Sequence, residues 1–178
     1  LQDGRTAKDG PAPEVISTYV EAVMPRHAGR EYRVKEDRDL PSQILAVAVV
    51  DEQANMLATA GLWQQVYVRL DYVVRKDLVG TNLVIGVSHE GHTLFNSFDT
   101  DLSPAEFERR RAGHYRALVP LPRGLLRPGT YSVSAGTGFT SKSRIDFHPD
   151  VVSFDVATHD MDVTHKSYSR SAEVMTQL

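Results

Sequence analysis

Cysteine is missing from the 178 residues. That excludes a disulfide framework, thiol chemistry and any metal site built on thiolates, and it fits a reducing compartment. Charge of one sign is missing too: Lys+Arg number 20 against Asp+Glu 23, for a net charge of -3. Such a balance gives no long-range pull toward nucleic acid or an anionic membrane. No apolar run nears the ~20 residues that span a bilayer, and no signal peptide opens the chain. Aromatics are sparse at 8%, with Trp63 the single tryptophan. The phosphate-cradling GxxxxGK[ST] loop, a GxGxxG turn and the GxSxG elbow are absent as well, so nucleotide and serine-hydrolase chemistries lack their motifs.

The 41% hydrophobic content suffices for one core. Residues 1–12 are polar and rich in Gly and Pro, and read as loop. Val15, Ile16, Tyr19, Val20, Val23 and Met24 then recur on one helical face, closed by Pro25. At about three turns this helix needs a partner for its apolar stripe. Residues 25–43 carry mixed charge without apolar period and read as a linker.

From Ile44 the period becomes two. Residues 44–50 are dense enough to be buried on both sides. Residues 66–74 alternate, with Val66, Val68, Leu70, Tyr72 and Val74 on one face and Tyr67, Arg69 and Asp71 on the other. Further strands are expected over 83–89, 93–98, 114–121, 130–136 and 151–157, with one helical turn near 103–108. Six or seven strands joined by Gly/Pro turns predict an all-β, immunoglobulin-like antiparallel β-sandwich over 44–157, preceded by the short N-terminal helix and linker. In Leu126-Arg127-Pro128-Gly129-Thr130-Tyr131, a Pro-Gly turn sets a tyrosine two residues past the glycine. That is the pattern of a tyrosine corner, whose phenol bonds back to the backbone. Residues 158–178 are polar with weak alternation, and read as a tail or an added strand.

His89 and His92 flank Glu90-Gly91. Zinc ligands on a helix need i, i+4 spacing; here the spacing is i, i+3 with a glycine between β-branched runs, so a two-residue hairpin turn is the expected structure. No metal site is assigned. Asp99 and Asp101 beside a turn read as backbone caps, and Arg109-Arg110-Arg111 as a solvated basic face. No catalytic constellation emerges.

Four segments together resemble a known family: Val66 to Val74, Gly86 to Phe95, Leu126 to Val133, and Phe154 to Val156. Their order and spacing are similar to the C-terminal carbohydrate-binding domain of Wzt, the ATP-binding subunit of O-antigen polysaccharide ABC exporters. Gly10 to Tyr19 is similar to the segment that ends the ATPase domains of such exporters. The chain opens on Leu1, so 1–24 is expected to be the end of an ATPase domain whose ATP and magnesium lie upstream. The resemblance implies a non-catalytic domain at the cytoplasmic face of the inner membrane. It would bind finished O-antigen polysaccharide for a transmembrane exporter subunit and work as a homodimer, with 158–178 a candidate for exchange between copies. The expected sugar contacts are the outward Tyr67, Arg69 and Asp71, His114 and Arg116, and Ser132 and Ser134, with Trp63 at one end. A β-sandwich that binds protein and no sugar is the alternative.

Overall fold

Alternation in Val66–Val74 places five of its side chains against a second layer. Val66, Val68, Leu70, Tyr72 and Val74 are each at most 6% exposed, which fixes which side of this strand is core. The computed structural model describes residues 30–158 apart from Leu102, Ser103 and Ser141. The expected helix at 13–24, most of the tail and the first part of the linker lie outside these residues.

The strands are β1 (Tyr32–Arg33), β2 (Ser42–Val50), β3 (Thr59–Gly61), β4 (Val66–Val74), β5 (Thr81–His89), β6 (His92–Phe98), β7 (Gly113–Leu121), β8 (Gly129–Phe139) and β9 (Ser143–Ala157). A 3₁₀ turn (Asp99–Asp101) and the short helix α1 (Pro104–Glu108) link β6 to β7. They form two sheets, in the orders β1-β2-β4-β7 and β3-β9-β8-β5-β6. This is the expected sandwich. All pairings are antiparallel except β3, which runs parallel to the end of β9.

Between the sheets lie Ile44, Val47 and Val49 of β2, Leu83, Ile85 and Val87 of β5, Tyr131 and Val133 of β8, and Phe154 of β9. Burying each large apolar side chain contributes about 1.5–3 kcal/mol. A bulge in β2 between Ile44 and Ala46 shifts its parity, so Ile44 and Val47 both face inward. Every β2 residue except Leu45 is buried, as its unbroken apolar run predicts.

The local turn chemistry follows the sequence. His89 pairs with His92 across Glu90 (φ 50°) and Gly91 (φ 79°); two successive positive φ angles make the tight hairpin turn whose twist suits the strands. The Tyr131 hydroxyl donates to the Arg127 carbonyl at 2.8 Å from a fully buried position, completing the tyrosine corner. Its ring stacks on Phe154 (5.6 Å between centroids) and on His89 (4.9 Å).

Three strand segments were not expected. β1 lies within the stretch read as linker, β3 is too short to show a period, and the first half of β9 contains Pro149 and the inward-facing pair Asp146 and His148. Those two polar side chains are held rather than stranded. His148 Nε2 is 3.0 Å from Asp146, which also accepts the Ile44 N–H at 2.8 Å and so ties β9 to β2.

Candidate functional site

The residues expected to contact sugar fall on two opposite outer faces. β4 and β7 share one sheet, so Tyr67, Arg69, Asp71, His114 and Arg116 share one surface; β8, with Ser132 and Ser134, belongs to the other sheet.

On the first surface the charges are already matched. Arg116 faces Asp71 across the β4–β7 register and grips it at 2.5 Å (Nε to Oδ1) and 3.2 Å (Nη2 to Oδ2). The hydrogen bond to Asp71, with its charge, raises the Arg116 pKa. Asp71 lies 3.6 Å from Arg69 Nε, and Arg69 pairs with Glu31, which also holds Arg33. The result is a ladder of alternating sign, Arg33–Glu31–Arg69–Asp71–Arg116. Arg69 and Glu31 are largely buried within it, at 15% and 14% side-chain exposure. Charge-assisted bonds are the stronger ones, so a neutral hydroxyl would have to displace a carboxylate. Tyr67 lies beside Pro120 and Val50 in register, and His114 beside Val73. Trp63 packs against the core, its ring so close over Gly124 that a Cβ there would collide with it. It is a wedge at the end of the sandwich.

The second surface is concave. A groove of about 470 Å³ runs over the outer face of β5, β6, β8 and β9, a size in the usual range of roughly 300–1,000 Å³ for ligand sites. Its floor holds Gly86 and Gly138 of neighbouring strands, with Gly136 beside them. A Cβ on Gly86 would meet Asn96 Oδ1 at 2.8 Å, and one on Gly136 would meet Phe147 Cδ2 at 2.8 Å and the Asp146 carbonyl at 2.7 Å. Glycine inside a strand marks a close approach; here it lets Asn96 and Phe147 lie down against the sheet. Over the Phe147 ring stands the Arg144 guanidinium, 4.0 Å from the centroid. Ser88, Thr93, Ser134 and Asn96 add hydroxyl and amide groups, and Lys142 and Arg144 are the charged residues of the lining. Ser134 is the one sequence-predicted residue that reaches this groove. Ser132 is buried and spends its hydroxyl on Asp150 (2.6 Å), whose N–H in turn donates to Ser134 Oγ at 2.9 Å.

None of Gly86, Asn96, Gly136, Gly138, Arg144 and Phe147 is among the contacts expected from the sequence, although Gly86 opens one of the segments that carry the family resemblance. The available signal was the glycine spacing inside two otherwise strand-forming runs. Among the described residues, no group of three or more His, Asp or Glu side chains could hold a metal ion, and no helix is long and apolar enough to cross a membrane. His89 turns its Nδ1 to the Thr130 carbonyl at 2.9 Å.

Known proteins place the chain as follows. No curated protein matches it. A solved structure described as the crystal structure of the C-terminal domain of wzt matches with a TM-score of 0.57 at 18% identity, covering 78% of this chain and 85% of that one. The likeness is one of fold. The family model for the Wzt C-terminal domain matches residues 39–168, which take in both sheets from β2 to β9 and the groove between β6 and β9. The chain belongs to the Wzt C-terminal domain family.

Proposed function

We propose that this chain is the glycan-recognition domain of an O-antigen polysaccharide ABC exporter, and that it holds the polysaccharide in the glycine-floored groove. The observation that carries the assignment is the Phe147–Arg144 pair beside Gly86, Gly136 and Gly138. A sugar ring has an apolar CH face and an edge of hydroxyls. The Phe147 ring receives the first once Arg144, which covers it in the free chain, swings off the ring; Arg144, Asn96, Ser134 and Thr93 then exchange hydrogen bonds with the second. The ladder on the opposite sheet pairs its charges with one another, which favours the groove over it.

In this reading the domain works at the cytoplasmic face of the inner membrane. It captures the lipid-linked polymer and delivers it to the transmembrane subunit, with ATP and magnesium used by an upstream ATPase domain. Two copies act together. Among the described residues the nine-residue β7 is a sheet edge, the kind of surface that pairs with another chain. Sedimentation equilibrium is expected to give twice 19.8 kDa; a 19.8 kDa species alone at high concentration would remove the dimer.

The direct test is titration of the ¹⁵N-labelled chain with O-polysaccharide purified from the parent strain. Amide shifts are expected at Gly86, Ser134, Gly136 and Arg144, with Arg69, Asp71 and Arg116 unmoved. Shifts confined to the ladder would transfer the site to the other sheet. No shift anywhere would favour a protein-binding module, for which Leu118, 53% exposed on β7, is the natural contact.

A further inference from the structure

The groove does not end at Phe98. Asn82, Phe98 and Thr140 line both it and a second hollow of about 410 Å³, whose far wall is Thr100, Asp101, Pro104, Phe107 and Glu108. The two chambers differ in chemistry. The first carries Lys142 and Arg144 with hydroxyl and amide groups; the second carries two phenylalanines, a proline and two carboxylates. Phe98 is 36% and Phe107 41% exposed, so two large apolar side chains are left to water in one small hollow. The Asn82 amide is engaged with the Thr140 hydroxyl at 3.1 Å, which reduces the donors available there. Asp101 and Glu108, when ionised, only accept.

We infer that this hollow is a subsite for a 6-deoxyhexose unit, adjoining the unit held over the glycine floor. The inference rests on the glycan reading above and names the sugar class it reads. A methyl group at C6 meets the Phe98 and Phe107 rings without loss. A hydroxymethyl turned toward the rings would set its hydroxyl against carbon and lose hydrogen bonds it makes in water. The remaining ring hydroxyls donate to Asp101 and Glu108, and the same carboxylates repel an acidic sugar. Phe98 forms the ridge between chambers, so neighbouring units of one chain occupy both.

The test uses L-rhamnose and L-mannose, which differ only in the hydroxyl on C6, titrated separately into the ¹⁵N-labelled chain. L-Rhamnose is expected to shift the amides of Phe98, Thr100 and Phe107 and to bind roughly five-fold tighter than L-mannose, the scale of an unpaired hydroxyl. Phe107→Ala should bring the two sugars to parity, and Phe107→Leu should retain part of the preference. Phe107 is exposed, so an amide spectrum matching wild type elsewhere verifies the fold. Equal affinities in wild type, or a preference that survives Phe107→Ala, overturns the subsite. Should L-rhamnose leave these amides unmoved while the purified polysaccharide still shifts Gly86 and Arg144, the subsite fails and the groove stands. If the polysaccharide shifts neither region, both fail.

Discussion

The guanidinium carbon of Arg144 stands 4.0 Å from the centroid of the Phe147 ring, over a floor that glycine keeps clear. Arg144 is exposed, so its hold on the ring contributes only about 0.5–1 kcal/mol to the fold. Its planar donors matter more for a ligand. Arg144→Ala should weaken polysaccharide binding by about ten-fold, or about 1.4 kcal/mol, near the low end for a hydrogen bond to a charged group, while leaving Tm within a few degrees. Arg144→Lys should recover part of the loss, since it keeps the charge without the fork. Isothermal titration and thermal melts on the same samples separate the two effects; wild-type affinity in the alanine variant would remove Arg144 from the site.

Two glycines of the floor should respond differently to one added methyl. At Gly86 the collision is with Asn96 Oδ1, the far end of a side chain that can swing aside. At Gly136 it is with the Asp146 backbone carbonyl at 2.7 Å. Gly86→Ala should therefore fold with near-normal stability and bind polysaccharide several-fold more weakly, because Asn96 is pushed into the groove. Gly136→Ala should cost about 1–3 kcal/mol, the usual range for overpacking, read by urea denaturation. Equal stability losses at both positions would contradict this account.

The strands were legible where side chains alternate without interruption. β4 matches its predicted span residue for residue, and Glu90-Gly91 turns as its composition requires. Sheet membership was not legible, because alternation states which side of a strand is wet and says nothing about which neighbour it pairs with. That is why Ser134 and Arg69, both expected to face outward, lie on opposite surfaces. The proposed groove was hidden by a parity shift. Arg144 and Phe147 are three residues apart, which in a regular strand puts them on opposite faces. An irregularity in the β8–β9 register between Thr137 and Gly138 aligns Phe147 with Gly136 and Arg144 with Gly138, and so returns both to the same face. No residue pattern announces such a bulge.

Acid should weaken the fold through two surface turns. Asp51 is held below the ordinary carboxylate range chiefly by the Asn55 side-chain amide, and Asp77 by the Ala112 N–H and then by Arg109. A carboxyl whose folded pKa lies below its unfolded value of 3.8 stabilises fully above that value and loses its contribution as pH falls through the folded one. Tm should hold level above about pH 5 and drop progressively below about pH 4. Asp51→Asn with Asp77→Asn should flatten that part of the curve. A Tm that climbs on acidification through this window would show the opposite linkage.

Arg110 is the charge most deeply enclosed among the described residues, at 3% exposure. Its Nη2 lies 2.5 Å from Asp99 Oδ2 and its Nη1 donates to the Tyr72 hydroxyl at 3.0 Å. Burial works against the charge, but the bonds and charge of Asp99, with Tyr72, outweigh it and raise the pKa. Asp99 also accepts the Leu83 N–H at 2.8 Å, so this ion pair pins the 3₁₀ turn and the end of β6 to β5. Removing one partner of a buried pair costs about 3–5 kcal/mol; Asp99 is 23% exposed and can reach water, which places Arg110→Met near the lower end, about 3 kcal/mol. The damage should spread to the adjoining hollow, because Phe98 and Thr100, which line it, flank Asp99 in the chain. Urea denaturation should show the stability loss. L-Rhamnose should bind this variant more weakly under conditions where it remains folded, while contacts over Gly136 and Arg144 persist. Unchanged stability in Arg110→Met would mean that the enclosed charge is no anchor for the turn.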